Sequence, residues 1–197
     1  MKKIVFVLFL FILNIDTYGQ SALEKFFGIE YHKGFVTLPN GDIIKGNIVF
    51  NNDYTDFSSV YIKDTISNEG TRYKPNDVLH FSIDSLYFYP KILRKKTVFM
   101  CLLLDDQLKV YLHKYLIATQ YYTGTGTMYF LEKPNGQSVQ ILYNKVFNFK
   151  KHAGNFFKDY PQLSEKIKNK TYKVDDIFEV AHEYNEWLKQ NQAQNIQ

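Results

Sequence analysis

The sequence predicts an α+β fold that is mainly β: an antiparallel sheet or rolled half-barrel followed by two to three C-terminal helices. Three observations support this. Two Pro-Asn-Gly turns, Pro39-Asn40-Gly41 and Pro134-Asn135-Gly136, each lie between apolar-rich runs. The 17 Phe and 16 Tyr suit strands, because a pleated surface accommodates aromatic side chains well. Beyond Lys145 the apolar spacing lengthens from two residues to the three or four of a helix.

The N-terminus precedes that body and reads as a signal peptide over residues 1–19. Lys2 and Lys3 form a positive start, Ile4 to Leu13 an apolar run, and Asp16-Thr17-Tyr18-Gly19 a polar exit. Gly19 and Thr17 favour cleavage before Gln20, with Ala22 a second site. A helix over the apolar run reaches about 15–18 Å, too short for a permanent anchor in a ~30 Å hydrocarbon core. The single cysteine, Cys101, is far from the cleavage point, so neither a lipid anchor nor an internal disulfide is expected. Amid Phe99–Leu104 it reads as a small buried hydrophobe.

The remaining 178 residues suit one domain with a sizeable core. We assign residues 20–30 to a linker, 31–145 to the β body and 146–194 to a helical part packed on the same sheet. The net charge of +4 becomes +3 when Lys2, Lys3 and Asp16 are removed, too little to argue for nucleic acid. No later run approaches ~20 apolar residues, so no transmembrane helix is expected after cleavage.

Within the β body, Phe35–Leu38 and Ile43–Phe50 flank the first turn, where Asn-Gly predicts the paired positive φ angles of a type I′ hairpin. Met128–Leu131 and Val139–Tyr143 flank its echo. Shorter strands are expected at Ser59–Lys63, Thr71–Lys74, Val78–Ile83 and Leu86–Tyr89. Val98–Leu104 is apolar on both faces, which marks a central, doubly covered strand. Leu108–Ile117 alternates, with Leu108, Val110, Leu112 and Leu116 opposite Lys109, Tyr111, His113 and Tyr115.

The helical part begins with a short stretch over Phe149–Lys158. Pro161 restarts the helix at its first position, with Leu163 and Ile167 inward and Asn169 as its stop. In the last helix Val174, Ile177, Phe178, Ala181, Tyr184 and Leu188 share a face, widened by Val180 and Trp187. That stripe is expected to dock on the sheet.

Motifs for chemistry are weak. His80, Ser82 and Asp84 resemble a triad, but alternate strand residues stand ~7 Å apart with parallel side chains, and a triad converges. Thr123-Gly124-Thr125-Gly126-Thr127 has no following Lys-Ser/Thr and leads into a strand, so it reads as a flexible connection rather than a phosphate loop. The five histidines are widely spaced; only His182 and Glu186 are helical neighbours, and they read as a surface pair. No cofactor or metal is expected. Lys91, Arg94, Lys95 and Lys96 form a solvated basic turn that guards an edge, with anionic lipid or a polyanionic glycan as its functional partner. The residues selected as a ligand surface are Lys109, Tyr111, His113 and Tyr115, for stacking on a glycan, together with Arg94, Lys95 and Lys96.

The chain resembles a family of small, uncharacterised secreted proteins of Bacteroidetes. The resemblance rests on Gly34-Phe35-Val36 with Asn40–Ile48, Tyr73–Val78, Leu108–Tyr111, Tyr129–Lys133, and above all Tyr160–Lys170 through Tyr184-Asn185. It implies a Gram-negative envelope setting and carries no activity or site residue. In that setting Asp64-Thr65-Ile66 and Asp84-Ser85-Leu86 resemble O-glycosylation acceptors. The expected function is therefore a non-catalytic periplasmic, secreted or outer-membrane-associated module that binds an envelope protein, glycan or lipid surface. Two alternatives remain: a hydrolase-type enzyme with dispersed residues and His113 or His80 as base, and a small outer-membrane barrel.

Overall fold

A computed structural model of the protein describes residues 30–50, 58–67, 69–118, 120–121, 123–143 and 149–194. The expected signal peptide and residues 20–29 of the linker lie outside them. Ten strands form one antiparallel sheet: β1 (Glu30–Thr37), β2 (Ile43–Phe50), β3 (Val60–Asp64), β4 (Gly70–Tyr73), β5 (His80–Ile83), β6 (Leu86–Leu93), β7 (Lys96–Leu104), β8 (Lys109–Ala118), β9 (Thr123–Glu132) and β10 (Ser138–Leu142). Their order is β10-β9-β8-β7-β6-β5-β1-β2-β3-β4, so the sheet stays open, with β4 and β10 at its edges. After β4 the chain returns through a 3₁₀ turn, Pro75–Asp77, that packs on β6 and β7. It then places β5 beside β1. The predicted antiparallel architecture with C-terminal helices is present.

Three local expectations are corrected. Both Pro-Asn-Gly hairpins form, but only the glycines take positive φ, Gly41 at 90° and Gly136 at 81°. Proline fixes φ near −65°, so Pro39 and Pro134 move the turn back by one residue. It closes by Gly41 N–H to Leu38 O (2.9 Å) and Gly136 N–H to Lys133 O (3.0 Å), with the glycine as the bulge of a three-residue loop. Thr123–Thr127 is strand, not connection, and pairs with Lys114–Ala118. The cause is packing: a Cβ on Gly126 would overlap the Tyr115 ring, so glycine makes a bed for a neighbouring aromatic. The basic turn is also shorter than expected, because β6 continues through Lys91 to Leu93.

The sheet rolls: its first half buries one face, and β8–β10 bury both. On one face Val36, Ile48, Ile62, Phe81, Phe99 and Cys101 form a first core. Its curvature needs glycine: Gly34 and Gly46 are cross-strand partners, and a Cβ on either would overlap a carbonyl oxygen, of Ser82 and Lys63 respectively. On the other face Met100, Tyr111, Met128 and Phe130 form a second core. There Lys91 of β6 reaches Glu132 of β9 at 2.5 Å and lies 4.4 Å from the Tyr111 ring centroid. A flat sheet separates β6 from β9 by about 14 Å, so β6 must bend over that face. Between the halves runs β7, in which Phe99, Met100 and Cys101 are buried in succession. The double cover that the sequence predicts for Val98–Leu104 is found at these three residues, whereas Leu103 is exposed.

The helices cover the first face of β8–β10. A π-turn, Phe149–Ala153, leads to α1 (Gly154–Phe156); α2 is Pro161–Lys168, and a 3₁₀ turn at Val174–Asp176 opens α3 (Ile177–Gln194). Leu163, Ile167, Ile177, Val180, Ala181 and Tyr184 bury against Leu108, Val110, Leu131 and Ile141. Phe178, expected inward, is largely exposed, while polar Asn185 is fully buried. Asn185 accepts from the Leu108 N–H (2.6 Å) and donates to its carbonyl (3.4 Å), satisfying the buried backbone just before β8.

Candidate functional site

The β6–β7 hairpin has the turn that the sequence predicts elsewhere. Leu93 pairs with Lys96, leaving Arg94 and Lys95 as a two-residue loop at φ 47° and 72°. Paired positive φ is the mark of a type I′ turn, whose preferred residues are Asn and Gly. A side chain in this region costs roughly 1–2 kcal/mol per residue. The other tight hairpins place glycine (Gly41, Gly136) or aspartate (Asp84, φ 51°), which tolerates this region, at their positive-φ positions, so the strain here accompanies retained positive charge.

That turn forms one wall of an open groove of about 480 Å³ lined by Arg94, Ser138, Val139, Gln140, Leu142 and His152. Edge strand β10 supplies the floor and the π-turn the far wall. Lys95 and Lys96 extend the cationic rim on one side, Lys150 and Lys151 on the other, and all are exposed. Arg94, Lys95, Lys96, Lys150 and Lys151 enter no ion pair among the described residues. A guanidinium, an imidazole, an amide and a hydroxyl facing one groove suit an oxyanion.

Charge is separated along the strands. Between Asp84 and Asp105 there is no acidic residue, and between Asp106 and Asp159 only Glu132. Along β6 and β7 the register puts Asp84, Asp105 and Asp106 at the strand ends away from Arg94. Glu132 is the cross-strand partner of the groove residue Ser138, but its carboxylate is engaged by Lys91 and Tyr111. That acidic side chain is thus paired within the chain, and the unpaired charge at the rim is positive.

No family model, curated protein or solved structure matches this chain.

The residues selected from sequence divide between the two ends. Arg94, Lys95 and Lys96 stand at the groove, whereas Lys91 is engaged by Glu132 and Tyr111. Lys109 pairs with Asp105 at 2.7 Å, and that hydrogen bond holds its ammonium above the usual lysine range. Tyr111 and His113 are buried in the sheet. Desolvation chiefly raises the Tyr111 hydroxyl, aided by Glu132, to which it donates at 3.2 Å. Desolvation lowers His113, whose Nδ1 lies 3.4 Å from the Phe99 carbonyl. Tyr115 is half-buried over Gly126. These four side chains thus form no continuous exposed platform. A more open aromatic cluster joins Phe35, His80, Tyr87 and Tyr89, with His80 and Tyr89 stacked at 5.3 Å.

The remaining motif residues disperse. His80 Nε2 lies 3.3 Å from Thr37 Oγ1, while Asp84 faces His32 Nδ1 at 3.3 Å. Cys101 is buried, and desolvation pushes its thiol up to about 11. Among the described residues no three His, Cys, Asp or Glu side chains converge as metal ligands. None of the described helices is long and apolar enough to cross a membrane. Gln140, Lys150, Lys151 and His152 were not selected from sequence as groove residues; the spacing of the acidic residues was the available signal.

Proposed function

We propose that the protein is an exported, non-catalytic binding module of a Gram-negative cell envelope, and that it recognises an anionic surface through the Arg94 end of its sheet. The N-terminal signal pattern and the resemblance to secreted Bacteroidetes proteins support the setting. The observation that carries the binding reading is the charge at the groove: unpaired cations from the β6–β7 hairpin and the π-turn flank it, and the nearby carboxylate of β9, Glu132, is held by Lys91 and Tyr111. Such a surface attracts anionic partners over roughly a Debye length, ~8 Å at physiological salt.

The test uses protein purified after export. N-terminal sequencing is expected to begin at Gln20. On immobilised heparin the wild type is expected to elute at clearly higher salt than a neutral-surface control. The triple variant Arg94→Ala, Lys95→Ala, Lys96→Ala is expected to elute early. Identical elution of wild type and triple variant would remove this end of the sheet as the binding surface.

A further inference from the structure

We infer that the cationic end docks on a membrane through the phosphates of anionic phospholipid headgroups, with the β6–β7 hairpin as its leading edge. This rests on the anionic-surface reading above and names its partner. Cations alone do not separate a lipid surface from a soluble polyanion; the exposed aliphatic side chain beside them does.

Ile92, two residues before Arg94 on the same hairpin, is 70% exposed. An exposed aliphatic tip among lysines and arginine matches a bilayer interface, where apolar tips enter the headgroup layer and cations remain at phosphate depth. A soluble acidic polymer gives no such use to a bare isoleucine. The groove beside Arg94 accepts a headgroup phosphate, with Gln140 and Ser138 available to its neighbouring oxygens.

The turn strain has the same explanation. Asn-Gly would relax both φ angles but remove two charges from the tip, so the substitution that improves the fold is the one that weakens docking. Each cation lost near an anionic bilayer weakens binding about five-fold.

The decisive experiment is cosedimentation with vesicles of phosphatidylglycerol in phosphatidylcholine, using the exported protein and Arg94→Asn with Lys95→Gly. The wild type is expected to sediment with these vesicles and not with pure phosphatidylcholine. The double variant is expected to melt at higher temperature yet bind roughly thirty-fold more weakly. An Ile92→Trp variant is expected to show blue-shifted emission on the anionic vesicles. Undiminished binding by the double variant overturns the docking edge, and an unshifted Ile92→Trp spectrum overturns insertion. Wild type that ignores the vesicles but stays on heparin overturns the lipid partner and leaves the broader reading standing. Failure on both removes both.

Discussion

The two ends of the sheet treat charge in opposite ways. At the Asp105 end nearly every charged group is bound within the molecule. Lys133 is buried and donates to Asp159 Oδ1 and the Phe156 carbonyl, both at 2.7 Å, while Tyr184 donates to Asp159 Oδ2 at 2.6 Å. Lys189 bridges Asp106 and Glu186 at 3.1 Å each, tying α3 to the β7–β8 turn. At the other end Arg94, Lys95 and Lys96 form no ion pair among the described residues, and two successive positive φ angles fall on cations. One end uses polar groups to join sheet and helices. The other leaves them available to something outside the chain.

That contrast can be broken most sharply at Lys133. Lys133→Met should destabilise the fold by about 2 kcal/mol, below the figure for a fully enclosed pair because Asp159 retains water contact. Urea denaturation reads this directly. Burial raises the Asp159 carboxyl, but the hydrogen bonds from Lys133 and Tyr184 outweigh it and hold the group below the ordinary carboxylate range. A depressed carboxyl stabilises above its unfolded value and loses that contribution as pH falls through its folded value. Wild-type stability should therefore drop below about pH 4, with a smaller drop in Lys133→Met.

Asn185→Ala should cost on the order of 1–3 kcal/mol, because it leaves the buried Leu108 N–H without a partner. Slow amide exchange at Leu108 should disappear with it. The smallest effect has the opposite sign. Lys95→Gly should stabilise by about 1 kcal/mol through relief of its positive φ, seen as a raised urea midpoint. A destabilised Lys95→Gly would mean that Lys95 holds the hairpin by a contact and would erase the difference between the ends.

Much of this was legible in residue periods. The alternation of β8, the doubly apolar β7 and the inward stripe of α3 follow from which faces need covering. Proline before Asn-Gly was the signal overlooked at the turns, since its fixed φ dictates where the glycine falls. Thr123–Thr127 was hidden for a different reason: a glycine that bends a loop and one that seats Tyr115 look alike in sequence. Rolling was also hidden, because Gly34 and Gly46 gain meaning only as cross-strand partners. At the site, the cations of the hairpin were visible as a run. Their union with Lys150 and His152 required knowing that β6–β7 folds back toward β10.

The shared wall at β7 has a mechanical consequence. Phe99 and Cys101 belong to one core and Met100 to the other, so a slip of one residue would exchange the occupants of both at once. Neither half can lose its alignment privately. Local melting in one is transmitted to the other through a single strand, and the ten strands should come apart in one cooperative transition rather than as two separable lobes.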